Sequence, residues 1–216
     1  MKPKLLVFDV DGTLVDSLSV SYDVDKKIIS EFGGNVPSME TYRGCIGEGN
    51  WNDFYRKFGV NIDTERALEL YYSRISQFDQ KAIPGAKDLL QKLSDSDVAR
   101  AIVSINKRQD YVLDKLRMAG LENYFTPKDI YCEGDNKVMA IKEACSKRGI
   151  TPQAALYIGD TAKDVREARA AGLKTVAISN KFSFNTKDII MQSNPDYLFT
   201  DISDLTSFLE GKDESY

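Results

Sequence analysis

Two pairs of acids stand at the ends of apolar runs. Residues 4–8 (Lys-Leu-Leu-Val-Phe) lead straight into Asp9, Val10, Asp11 and Gly12. Residues 155–158 (Ala-Leu-Tyr-Ile) lead into Gly159 and Asp160, with Asp164 four residues on. A third run, 101–103, ends in Ser104, and Lys137 stands where a helix should start. Each has an ordinary explanation. Asp11-Gly12 is a common turn, so the first pair could be the solvated exit of a strand. Asp164 and Ser104 could serve helix starts, and Lys137 could be a solvated surface lysine. Taken together they are harder to dismiss. Three acids facing one another are strongly unfavourable without a cation among them. A lysine at a helix start meets the wrong end of the dipole unless an anion lies in the crevice beside it.

Composition narrows the chemistry. The 216 residues include no histidine, which excludes Ser-His-Asp and Cys-His pairs and His-ligated zinc. Proton transfer near neutral pH then falls to a carboxylate, lysine, tyrosine or thiol. A metal would sit in oxygen ligands, which points to Mg²⁺ rather than zinc. Cys45, Cys132 and Cys145 are odd in number and far apart, so they read as reduced packing thiols of a cytoplasmic protein. A net charge of −4 with dispersed lysines gives no case for a nucleic-acid partner. The N-terminal apolar run is too short for a signal peptide, and no run is long enough to span a bilayer, so no membrane partner is expected. The oligomeric state is left open.

The elements that must position these residues follow from periodicity. Helical spacing is present over 17–32, 51–58 and 65–78, separated by Gly33-Gly34 and by the glycine-punctuated stretch 42–47, read as a loop or helix junction. Residues 16–80 thus form a small, aromatic-rich helical unit with no strand. On their spacing, most of Trp51, Phe54, Tyr55 and Phe58 are expected to be core or cap-interface residues rather than a substrate cage. After Ile83-Pro84-Gly85-Ala86 and a helix through Leu93, strand-like runs at 99–103, 130–132, 155–158, 175–178 and 197–199 alternate with helices at 109–118, 137–148 and 164–171. The 137–148 helix is expected to turn Val138, Ile141 and Ala144 inward. Alternation of this kind implies an α/β fold: a parallel, Rossmann-like sheet core with helices on both faces, carrying the inserted α-helical unit. Ligands of such a sheet lie at the C-terminal ends of the strands, where Asp9, Asp11, Ser104 and Asp160 stand. The polar tail, 211–216, is expected to fray.

The set Asp9-Val10-Asp11-Gly12-Thr13-Leu14, Ser104, Lys137 and Gly159-Asp160-x-x-x-Asp164 resembles the haloacid dehalogenase-like hydrolase superfamily. Ile83-Pro84-Gly85-Ala86 with Leu89 and Leu93, and the stretch 164–172, resemble its phosphoglycolate phosphatase-like branch. The resemblance implies a Mg²⁺-dependent phosphatase acting on a small-molecule phosphomonoester, phosphoglycolate being the guess the branch offers. Residues 1–15 and 81–216 would form the catalytic core and 16–80 a cap. Asp9 would be the nucleophile, forming an aspartyl-phosphate, and Asp11 the general acid and base. Mg²⁺ would bind Asp9, the backbone carbonyl of Asp11 and Asp160, with Asp164 holding a metal water or orienting Lys137. Ser104 and Lys137 would hold phosphoryl oxygens. Arg43, beside Gly44 and Gly47, would reach a substrate anion from the cap. Ile105 interrupts the usual Ser-Asn order, which puts Asn106 in question as a phosphate neighbour. A phosphoglucomutase-like sugar phosphomutase uses the same residues, and a catalytically silent binding module could keep the same fold.

Overall fold

The computed structural model describes residues 3–46, 51–134 and 136–211. Gly47 and the tail from 212 lie outside the described residues.

The first strand, β1 (Leu5–Phe8), is buried at every residue. It ends at Asp9, whose amide still donates to the Ile158 carbonyl at 2.9 Å. A tight loop then leads to β2 (Val15–Asp16) and the helices α1 (Leu18–Glu31), α2 (Met39–Cys45), α3 (Trp51–Lys57) and α4 (Thr64–Ile75). β3 (Lys81–Ala82) brings the chain back, and α5 (Ala86–Ser94), β4 (Ala99–Ser104), α6 (Gln109–Met118), β5 (Ile130–Cys132) and α7 (Val138–Ser146) follow. The chain closes with β6 (Ala155–Gly159), α8 (Ala162–Ala170), β7 (Lys174–Ile178), α9 (Lys187–Gln192), β8 (Tyr197–Phe199) and α10 (Ile202–Leu209). Six strands form one parallel sheet in the order β5-β4-β1-β6-β7-β8.

Alternation along β1 divides the core. Leu6 and Phe8 join a cluster with Leu89 and Leu90 of α5, Val112 and Leu116 of α6 and Leu205 of α10. Leu5 and Val7 face the other way, against Ala140, Ile141 and Ala144 of α7 and Ala168 of α8. Helices therefore cover both faces, which is why the strands read as continuous apolar runs. Within α7 the buried positions are Ala140, Ile141, Ala144 and Cys145, and the expected Val138 is only half-buried.

The helical stretch 18–75 has its own core, in which Val24, Ile28, Tyr42, Phe54, Tyr55 and Phe58 pack together with Tyr111 and Phe184 from the rest of the chain. The chain enters and leaves it through β2 and β3, antiparallel neighbours that pair Val15 with Ala82 and Asp16 with Lys81. Two expectations are corrected here. Residues 39–45 form a helix, because the Ser38 side chain accepts from the Thr41 amide and Glu40 occupies the first turn. Strand structure does reach residue 16. α9 and α10 are helices that the periodicity reading does not include. Among the described residues no helix is long and apolar enough to cross a membrane.

Candidate active site

The C-terminal ends of β1, β4 and β6 and the first turns of α7 and α8 converge. Asp9, Asp160 and Asp164 each offer a carboxylate oxygen, all within 4.8 Å of one another. Two glycines permit this approach. Gly12 has φ +73°, and a Cβ there would lie 2.2 Å from Asp160 Oδ2. A Cβ on Gly159 would lie 2.7 Å from Asp164 Cγ.

Lys137 sits at the centre. Its Nζ donates to Asp9 Oδ1 at 2.7 Å, Asp164 Oδ1 at 2.6 Å and the Tyr157 hydroxyl at 3.1 Å. Asp164 serves two ends at once. Its Oδ2 accepts from the amide and hydroxyl of Thr161 at 3.1 and 2.6 Å, forming the capping box that starts α8. Its Oδ1 accepts from Lys137 and, at 3.0 Å, from Tyr157. Both readings of Asp164, helix-start acid and lysine anchor, describe the same side chain. Asp160 is fully buried. Its Oδ2 accepts from the Phe184 amide at 2.6 Å and its Oδ1 from the Thr13 hydroxyl at 3.3 Å.

Three buried acids share this one lysine. Burial pushes the Asp9 carboxyl up to about 7, against the pull of Lys137 and helped by Asp164 and Asp11. Burial, with Asp9 and Asp164 nearby, holds Asp160 well above the carboxylate range. Asp164 is buried too, but Lys137 and its hydrogen-bond donors outweigh burial and keep it low. Burial disfavours the Lys137 ammonium, yet Asp164 and Asp9 hold its pKa well above the ordinary lysine value. The cluster is thus short of positive charge, and its oxygen donors suit a hard divalent cation.

A cleft of about 320 Å³ opens above the cluster. Asp9, Asp11, Ser104, Asn106, Lys137 and Asp164 line it from the sheet side, and Tyr42, Trp51, Phe54, Leu68, Tyr71 and Tyr72 from the helical side. Of the four aromatics at 51–58, Tyr55 and Phe58 are core, Phe54 belongs to the same core and also borders the cleft, and the half-buried Trp51 borders the cleft beside it. The Ser104 hydroxyl accepts from the Asn106 amide at 3.1 Å, and the Asn106 side chain accepts from the Arg108 amide at 2.9 Å. Asn106 therefore shapes the turn after β4 at the cleft edge.

Arg43 stands beside the cluster, where the buried Asp160 carboxylate acts on its guanidinium. It is not among the described residues that line the cleft. Its Nη2 donates to the carbonyls of Asn180 and Asn185, both at 3.1 Å. Asn185 answers from the other side: its Nδ2 donates to the carbonyls of Arg43 and Ile46, while its Oδ1 accepts from the Ala162 amide that opens α8. Arg43 and Asn185 thus clasp the helical unit to the loop after β7. Asn185, Tyr157 and Lys115 belong to no motif that marks them in the sequence, and Thr13 stands in the first motif with no role assigned by it. Lys115 lines the cleft and its ammonium is bonded to Asp11.

Comparison with known proteins identifies the family of the chain. The family described as haloacid dehalogenase-like hydrolase matches residues 6–178. A phosphoglycolate phosphatase of Nitrosospira multiformis is 31% identical over 78% of this chain and 80% of its own. That of Synechococcus elongatus is 28% identical over 93% of this chain and 94% of its own. That of Pseudomonas savastanoi pv. phaseolicola is 27% identical, covering 94% and 78%. Among solved structures, a haloacid dehalogenase-like family hydrolase from Streptococcus pneumoniae superposes with TM-score 0.79 at 21% identity, covering 96% of this chain and 98% of that one. A family hydrolase from Deinococcus radiodurans, solved with bound phosphate and sodium, gives 0.77 at 21% identity, covering 98% and 96%. These two show the same fold.

Proposed function

The chain belongs to the haloacid dehalogenase-like hydrolases, and from that premise we propose that it is a Mg²⁺-dependent phosphatase of small-molecule phosphomonoesters. The observation that carries this reading is the buried cluster of Asp9, Asp160 and Asp164 around Lys137, opening into the cleft that Asp11 and Ser104 border. Phosphoglycolate, named for the curated relatives, is the first substrate to try. The free cysteines suit a cytoplasmic enzyme.

In this reading Asp9 attacks phosphorus. Its oxygen forms a bond to phosphorus as the ester bond breaks, giving an aspartyl-phosphate on Asp9. Asp11 gives a proton to the departing oxygen, then takes one from the water that opens the intermediate. Lys137 and Ser104 hold the non-bridging oxygens, and Lys137 is fixed for that task by Asp164 and Tyr157. Asp9, Asp160, the Asp11 carbonyl and Asp164 would hold the Mg²⁺. Bound there, it would neutralise phosphoryl charge and offset the excess of carboxylates. Residues 16–80 act as a cap that supplies the aromatic wall of the cleft and limits access of water.

The test is hydrolysis of p-nitrophenyl phosphate and phosphoglycolate by wild type and Asp9→Asn, in Mg²⁺ and in EDTA. Turnover that requires Mg²⁺ and falls by about 10⁴-fold or more in Asp9→Asn is expected. Turnover that survives the substitution would remove Asp9 from its role.

A further inference from the structure

Lys115 occupies a position that a lysine has no ordinary reason to hold. α6 turns Tyr111, Val112, Lys115 and Leu116 to the interior, and Lys115 is only 3% exposed. Leu116 and Val112 are packed in the main apolar core. An unpaired ammonium at such a site is strongly unfavourable, whereas an apolar residue would extend the packing. Among the described residues Lys115 has two close partners. Its Nζ donates to Asp11 Oδ1, and it lies 5.0 Å from the centroid of the Tyr111 ring. The ring is itself packed edge-on against Tyr72, a wall residue of the cleft.

The pairing is equally exclusive from the other side. Asp11 Oδ1 accepts from Lys115, and Oδ2 has no hydrogen-bond partner among the described residues, although Asp11 borders the cleft. The two carboxylates that follow β1 are therefore gripped from opposite faces of the sheet. Lys137 holds Asp9 from the α7 side, and Lys115 holds Asp11 from the α6 side. Both lysines come from the sheet-and-helix core, so neither grip depends on a group delivered by the helical unit.

We propose that Lys115 is a positioning residue for proton transfer to the leaving group. It anchors the Asp11 carboxylate through Oδ1 and leaves Oδ2 aimed into the cleft. As the ester P–O bond breaks, its electron pair stays on the leaving oxygen, which takes the proton from Asp11 Oδ2. The water that later attacks phosphorus returns a proton to the same oxygen. This role rests on the reading of Asp11 as proton carrier, and it makes a demand that a packing role does not. Loss of the grip must hurt most where the leaving group most needs a proton.

The experiment compares phenyl phosphate with p-nitrophenyl phosphate, esters close in shape with leaving groups of different basicity, using wild type, Lys115→Met, Lys115→Gln, Asp11→Asn and the Lys115→Met/Asp11→Asn double variant. Lys115→Met is expected to lower kcat/KM, which reads the cleavage of the ester bond before the water step both esters share, on the order of 10²-fold for phenyl phosphate and by less than about tenfold for p-nitrophenyl phosphate. Asp11→Asn should show the same split, and the double variant should lose little more than Asp11→Asn alone. Lys115→Gln, which keeps a donor, should recover part of the phenyl phosphate rate, and it carries the comparison if Lys115→Met does not fold. Equal losses of kcat/KM for the two esters would overturn the role of Lys115 and leave the phosphatase reading standing. Wild type that hydrolyses neither ester, nor phosphoglycolate, would overturn both.

Discussion

Asp9 and Asp25 are both carboxylates sealed inside the protein, and burial pushes each up to about 7. Their surroundings differ in kind. Asp9 faces an ammonium, two further buried acids and an open cleft. Asp25, on α1, is fully buried and faces two neutral donors, the hydroxyls of Tyr55 at 2.6 Å and Tyr42 at 2.7 Å, which tie α1 to α3 and α2. One cluster gathers charge beside an entrance. The other spends its hydrogen bonds on holding helices together. A displaced pKa is common to both, so it does not by itself mark a reaction centre. What separates them is uncompensated charge of one sign next to space for a ligand.

That contrast can be broken most forcefully at Lys137. Lys137→Met strands Asp9 and Asp164 without their shared cation and should cost about 3–5 kcal/mol of stability, read by urea unfolding in EDTA. A variant as stable as wild type would mean that the cluster is not held by charge.

A second comparison uses pH. The folded-state pKa of Asp25 lies above its ordinary value, so folding favours the protonated form. Its contribution is complete below about pH 4 and is lost as pH rises through about 7, with a slope of at most about 1.4 kcal/mol per pH unit for one proton. Asp25→Asn removes that loss. Its unfolding midpoint should stay near wild type at pH 5 and exceed it at pH 8. The reverse ordering would show that Asp25 is stabilised as the anion by its tyrosines.

The smallest effect sharpens the neutral cluster. Tyr42→Phe and Tyr55→Phe each delete one hydroxyl bonded to Asp25 and should each cost about 1 kcal/mol. The Tyr42 variant should also alter KM, since Tyr42 borders the cleft and Tyr55 does not. Equal kinetics in the two variants would separate the aromatic wall from substrate binding.

Much of the site was legible because β1 and β6 are covered on both faces and stop abruptly at acids. An apolar run ending in Asp9, or in Gly159-Asp160, shows its own boundary, and the strand ends of an α/β sheet fix where the acids meet. Lys115 and Asp25 escaped because each looks like a normal charge on an amphipathic helix. The sign was present in the spacing. Asp25 lies three and four residues before the buried Ile28 and Ile29, and Lys115 three and four after the buried Val112 and Tyr111. A charge on the apolar stripe of a helix is a buried ion waiting for a partner, and only the tertiary structure names that partner. The clasp of Arg43 and Asn185 had no periodic signal, because each side chain donates to backbone carbonyls, which any residue offers.

The position of β1 in the middle of the sheet has a consequence for assembly. Leu5 lies beside Ala99 on one flank and Ala155 on the other, so the first strand of the chain finds its neighbours only after long loops have closed. Contacts of such separation are slow to form because the closure entropy must be met before the pairing gives any return. Asp160 and Asp164 follow β6, so they reach Asp9 only through the pairing of β6 with β1. A chain halted before residue 155 would carry Asp9 and Asp11 on a strand with one flank bare, and it would lack the two acids that complete the cluster.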